Sequence, residues 1–168
     1  MNRTFSVTEI GVARTPLLHR RDAPFQPGGQ PGAVKGTVEV SEAYAPALQD
    51  LEGFERIWLL YVFDRNEGYR LTVKPPRGNK KRGLFATRSP HRPSPIGLTC
   101  ARLLEVKGRV LVIEGLDLLD GTPIIDIKPY LPFADAHPGA RIGWLEELSD
   151  GLEAEREGEG EKDEQERA

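Results

Sequence analysis

The chain has 168 residues, 38% of them hydrophobic, with 18 glycines, 14 prolines and one cysteine. That is enough for a single domain with one core, and a lone cysteine excludes an internal disulfide framework. The net charge of −3 hides an asymmetry: residues 146–168 hold 11 Asp/Glu against 3 Lys/Arg, a net of −8, while the rest of the chain carries +5.

No charged-then-apolar leader opens the sequence and no stretch of about 18 apolar residues occurs, so a soluble, cytoplasmic protein with no membrane span is expected. Residues 5–12 alternate imperfectly between apolar and polar and predict a first strand. Residues 14–34 carry four prolines and several glycines. This is a long loop, either a disordered excursion or a functional one in which Gly28, Gly29 and Gln30 let the backbone approach a ligand. A short strand is expected at 36–40. Ser41 then offers an N-cap for a short helix over 42–51, which Gly53 closes. Residues 54–63 (FERIWLLYVF) are the most apolar run and predict a central strand buried on both faces. Asp64 and Arg65 follow where that strand emerges, a position that either faces a cleft or caps a turn.

From Arg65 to Arg92 there are nine Lys/Arg and only Glu67 against them. A concentration of this kind is either a solvated charged face or the footprint of a polyanion site. Residues 75–82 form a basic loop, and 84–87 a short strand leading into Arg88, His91 and Arg92. Pro90, Pro93 and Pro95 stiffen that segment by fixing φ and pushing the preceding residues into extended geometry. A pre-stiffened cationic loop loses little entropy when it grips a ligand. Strands are expected at 98–106 and 110–114 about a turn at 107–109. Cys100 is expected as a small core residue. Asp120-Gly121 signals a turn. Residues 124–130 read as extended, with Asp126 and Lys128 on the face that Ile124 and Tyr130 also occupy, and with Pro129 at an edge or strand end. A last strand is possible at 142–148. The fold class is mainly β: a small antiparallel barrel of about six or seven strands, closed or nearly so, with one short helix and a disordered acidic tail.

There is no phosphate-loop signature, no dinucleotide fingerprint and no nucleophile elbow. His19, His91 and His137 have no partner at metal spacing, so no metal is expected. The residues favour a basic cleft for a nucleotide or nucleic acid and leave the reaction open.

Three segments carry a resemblance to a known family. GLFATRSPHRPSPIGLT (83–99), LDLLDGTPIIDIKPYLPFAD (116–135) and LEGFERIWLLYVFDRN (51–66) resemble the TsaA-like, or TrmO, family, and GGQPGAV (28–34) does so more loosely. The resemblance spans residues 5–145 and implies a domain over 1–145 with an acidic tail over 146–168. It implies a β-barrel that binds S-adenosyl-L-methionine, usually as a homodimer. Bacterial members methylate the N6 nitrogen of threonylcarbamoyladenosine beside the tRNA anticodon, so the implied partner is the anticodon stem-loop. By motif, cofactor contacts fall on Gly28, Gly29, Gln30, Asp64, Arg65, Arg88, Leu98, Leu116, Asp117, Leu118 and Leu119. The Asp64-Arg65 pair departs from the His-Gln usual in the family. Longer members carry a further C-terminal domain linked to tRNA handling, in whose place this chain has its acidic tail. A non-catalytic S-adenosylmethionine-binding regulator and a small-molecule methyltransferase are the alternatives.

Within that frame, Arg77, Lys80, Lys81, Arg82 and Arg92 are expected to hold RNA phosphates, contacts that position RNA without reading sequence. Attack by an N6 nitrogen requires loss of a proton, so a nearby acceptor is expected. Asp126 and Asp64 are the candidates for this catalytic role, with Asp126 alternatively pairing with Lys128 to shape the barrel end.

Overall fold

A computed structural model describes residues 3–23, 33–76 and 78–148. Six strands close a barrel: β1 (Gly11–Arg14), β2 (Lys35–Val40), β3 (Arg56–Val62), β6 (Ile96–Lys107), β7 (Val110–Glu114) and β8 (Pro123–Pro129). Their order around the barrel is β1-β2-β7-β6-β3-β8, every pair antiparallel. Two short strands, β4 (Thr72–Val73) and β5 (Arg82–Gly83), pair as a flap outside it. Closure leaves no edge strand in the barrel. The seam between β1 and β8 is short, and Ile10 N to Ile124 O (2.8 Å) and Ala13 N to Thr122 O (3.0 Å) extend it.

The core is the barrel interior. Alternate residues of each strand point inward, so Val38, Val40, Ile57, Leu59, Leu111, Ile113 and Ile124 are almost wholly buried. The run expected to be buried on both faces instead alternates: Ile57, Leu59 and Tyr61 are buried and their neighbours half-covered. An antiparallel barrel shows its outer face to solvent, whereas only a sandwiched strand is dry on both sides.

Several local expectations differ from the structure. The first strand is Gly11–Arg14, and Phe5 and Val7 are exposed. The expected helix over 42–51 is two 3-10 segments, Glu42–Leu48 and Leu51–Gly53. Pro46 lies inside the first, where its ring and missing N–H oppose α-helical bonding, and Asp50 separates the two in the left-handed region at φ 64°. Residues 84–86 and 143–148 are 3-10 turns, not strands. Cys100 lies on the half-covered outer face of β6, where burial pushes its thiol up from the usual value. Among the described residues the one α-helical turn is Pro132–Asp135. No helix among the described residues is long and apolar enough to cross a membrane. The acidic stretch from Ser149 onward lies outside the described residues.

Candidate functional site at one end of the barrel

The segment between β7 and β8 is held against the start of the chain. Thr15 Oγ1 donates to Leu118 O (2.9 Å), Asp120 Oδ1 accepts from Thr15 N (3.1 Å), and Thr122 Oγ1 donates to Leu119 O (2.7 Å). Gly121, at φ +79°, makes the turn that Asp120-Gly121 promised. Across from it stands the proline loop between β5 and β6. Thr87 Oγ1 donates to Leu84 O (2.8 Å), and Phe63 N to Pro95 O (2.8 Å). Asn66 Nδ2 reaches Pro90 O (3.1 Å). Arg92 donates to Thr87 O (3.0 Å) and Ser89 O (3.3 Å) and lies over the Phe85 ring at 5.5 Å. The loop is therefore braced by its own side chains as well as stiffened by proline.

Between these walls lies a cavity of about 1830 Å³. Drug-sized ligands fill sites of roughly 300–1,000 Å³, so this one has room for a nucleotide cofactor and part of a second molecule. Of the cofactor candidates, Asp64, Arg65, Arg88, Leu98, Asp117, Leu118 and Leu119 line it together. Leu116 does not: it is 1% exposed and packs inside the barrel, where a Cβ on Gly36 would meet its Cδ1 at 2.9 Å. Gly28, Gly29 and Gln30 lie outside the described residues.

The floor holds a polar chain that sequence reasoning missed. Thr99 Oγ1 donates to Asp117 Oδ1 at 2.5 Å, and Tyr61 Oη lies 3.2 Å from the same Thr99 oxygen. Thr99 has one hydroxyl proton and gives it to the carboxylate, so Tyr61 is the donor of the second bond. Tyr61 and Thr99 are almost fully buried. Burial raises the Asp117 carboxyl above its usual value, opposed by the Thr99 bond and by Arg88. Burial and the Asp117 charge together hold the Tyr61 phenol protonated, well above its usual range. A threonine alternating with core positions on β6 was the available signal, since a buried hydroxyl must find a partner.

The two catalytic candidates part company. Asp64 lines the cavity; Asp126 does not. A bulge in β8 leaves Ile125 without a partner, with Leu60 opposite Asp126 and Tyr61 opposite Ile124. The extra residue turns Ile124 inward and Asp126 outward, so the two do not share the face that an unbroken strand would give them. Asp126 there pairs with Lys128 at 2.7 Å and accepts from Ile127 N at 2.9 Å.

The basic segment also divides. Lys81 and Arg92 line the cavity. Lys80 and Arg82 instead reach Glu147, at 3.7 and 2.9 Å. Arg82 also lies 5.1 Å over the Trp144 ring, and Trp144 Nε1 donates to Ala86 O (2.8 Å). Arg77 lies outside the described residues. Sequence reasoning did not mark Trp144, Leu145, Arg20, Arg21, Arg70 or Lys74, all of which line the cavity.

Comparison with known proteins places this architecture. The family model described as the tRNA-methyltransferase O N-terminal domain matches residues 12–136. The chain belongs to that family. A probable S-adenosyl-L-methionine-binding protein of Pyrococcus abyssi is 43% identical over 148 residues, covering 88% of this chain and 80% of its own. The tRNA (adenine(37)-N6)-methyltransferase of Escherichia coli is 42% identical over 153 residues, covering 85% of this chain and 65% of its own. A crystal structure of TrmO superposes with a TM-score of 0.72 at 40% identity, covering 84% of this chain and 64% of that one. The chain thus spans about two thirds of the length of the Escherichia coli enzyme and of the TrmO crystal chain.

Proposed function

We propose that this chain transfers a methyl group from S-adenosyl-L-methionine to the N6 nitrogen of adenosine 37 in tRNA, with threonylcarbamoyladenosine as the target nucleoside. One observation supports the reading above the rest: Arg88 and residues 117–119, from loops about thirty residues apart in sequence, face a single cavity whose rim is strongly cationic. The names of the relatives point the same way, some by the cofactor and some by the tRNA adenine.

The residues present fit the cofactor. Leu98, Leu118 and Leu119 offer apolar surface for an adenine ring, and Asp117, half-buried and braced by Thr99, offers a fixed carboxylate. Arg88 lies close enough to act on the Asp117 charge. Gly28, Gly29 and Gln30 complete the set by motif. The cofactor supplies a methyl group already activated as a sulfonium.

The charge balance argues for a second, anionic molecule. Among the described residues, Arg20, Arg21, Arg65, Arg70, Lys74, Lys81, Arg88 and Arg92 face the cavity against only Asp64 and Asp117. S-adenosylmethionine, a sulfonium nucleoside without phosphate, carries net positive charge and cannot neutralise that excess, whereas RNA phosphates can. Lys81 and the flanking cations of 77–82 hold the backbone, and the braced proline loop limits how far the target base can move. Asp64 and Asp117 are the carboxylates on the wall that could take the N6 proton; the outward Asp126 is positioned instead to stabilise its bulge. The resemblance further implies a homodimer, which light scattering of the full chain would check.

Mass spectrometry of tRNA nucleosides, with purified protein and tRNA from cells lacking the gene, tests the reaction. Methylated threonylcarbamoyladenosine is expected; its absence alongside measurable cofactor binding leaves a binding protein. Arg88→Ala should weaken S-adenosylmethionine binding by at least about tenfold, as expected for loss of a charged group in a partly dry site. Unchanged affinity by calorimetry would remove the proline loop from the cofactor site.

A further inference from the structure

Several exposed cations on this body pair with a carboxylate. Arg14 pairs with Glu39, Lys35 with Glu114, Arg102 with Glu55 and Glu114, and Lys80 and Arg82 with Glu147. Arg20 and Arg70, at one side of the cavity, have no carboxylate partner among the described residues, and what they surround is His91. Arg20 Nη1 lies 3.1 Å from His91 Nε2. A guanidinium can only donate, so Nε2 accepts and the imidazole is the neutral form protonated on Nδ1. Arg70 N donates to His91 O at 3.3 Å, which ties the two segments together. Pro90 and Pro93 flank His91 and its neighbour and fix their backbone. The turn bearing Arg20 is held by Asp22, whose carboxylate is taken by the His19 amide (3.2 Å) and by Arg21 (3.7 Å).

Three donor-bearing side chains from distant parts of the chain are thus gathered and braced at a cavity wall, with no carboxylate of the described residues paired to either arginine. We infer that Arg20, Arg70 and His91 form a subsite for an anionic oxygen group of the RNA substrate, either a backbone phosphate or a carboxylate on the target base. This rests on the reading of RNA as substrate. Two guanidiniums in one place suit planar or tetrahedral oxyanions. An anion between them removes their mutual repulsion and lets the imidazole take a second proton, so that all three groups donate. Burial, together with the cationic Arg20 and Arg70, holds the His91 pKa below the usual value. Anion binding must therefore raise that pKa, and by linkage the anion binds more tightly as pH falls through it.

Sulfate is the probe, because its charge is constant across the range. The His91 imidazole signal of the full chain, assigned by its loss in His91→Gln, is titrated by NMR with sodium sulfate and with sodium chloride at matched ionic strength. A rise in the His91 pKa specific to sulfate is expected, with His137 as internal control. Arg20→Gln and Arg70→Gln should each weaken sulfate binding about tenfold. An unmoved His91 in sulfate overturns the subsite without touching the proposed methyl transfer.

The source of the anion is read with anticodon stem-loops carrying adenosine or threonylcarbamoyladenosine at the target position. If Arg20→Gln weakens binding of both RNAs equally, the anion is a phosphate. If it weakens only the modified one, the anion is the carboxylate on the base. If it weakens neither, while circular dichroism shows the variant folded, the subsite does not serve RNA and the proposal fails.

Discussion

Asp117 sits between two demands. Its carboxylate accepts from Thr99 and faces the cavity, yet burial penalises its charge and raises its pKa. A carboxyl whose folded pKa exceeds its unfolded one costs nothing at low pH, where both states are protonated. Stability falls as pH rises through the window between the two values, and the full cost is present above it. Asp117→Asn keeps an acceptor for Thr99 and removes the charge. It should raise the melting temperature at neutral pH, by about 2–4 °C for each kcal/mol recovered, with the gain vanishing below the ordinary carboxylate range. The same variant should lose cofactor affinity. Thermal scans at pH 3 and pH 7 read the first effect and calorimetry the second; a destabilised variant at pH 7 would show that the carboxylate's hydrogen bonds outweigh its burial.

At the scale of elements, β3 and β6 carry the site floor. Gly97 stands opposite Tyr61 in the ladder, and a Cβ there would collide with the Tyr61 ring. Glycine is needed at this position for room, since no positive φ is involved. Gly97→Ala forces the ring aside, and overpacking of this kind costs about 1–3 kcal/mol. It should also break the bond to Thr99 and loosen Asp117. A lowered denaturation midpoint together with weakened cofactor binding is expected, whereas a midpoint shift alone would separate the polar chain from the site. The β8 bulge acts at this scale too, because one extra residue decides that Asp126 faces solvent.

Across the whole molecule, an acidic residue from late in the chain is set against the basic segment. Glu147, in the 3-10 segment Gly143–Leu148, holds Lys80 and Arg82, while Trp144 caps the same flap and lines the cavity. An RNA that needs these cations must displace the carboxylate first. Glu147→Gln frees both, so RNA affinity at low salt should rise. The slope of log K against log salt should steepen by about one to two, as for one or two added phosphate contacts. An unchanged slope in filter binding would mean that Lys80 and Arg82 stay away from RNA.

The residues alone determined a great deal here, because the features concerned are local or are recorded in chemically distinctive runs. The existence of strands at 56–62, 96–107 and 110–114, the turn at 107–109 and the Asp120-Gly121 turn each depend on neighbours within a few positions, and all were legible. So was the family, through the proline loop and the 116–135 run. Tertiary structure decided what depends on packing between distant segments. The alternating burial of β3 follows from barrel closure, and the inward turn of Ile124 follows from a bulge that no pattern announces. The gathering of Arg20, Arg70 and His91, and of Tyr61, Thr99 and Asp117, depends on which loops share one end of the barrel. A one-dimensional pattern carries the period of an element but not the register or neighbours that closure imposes on it.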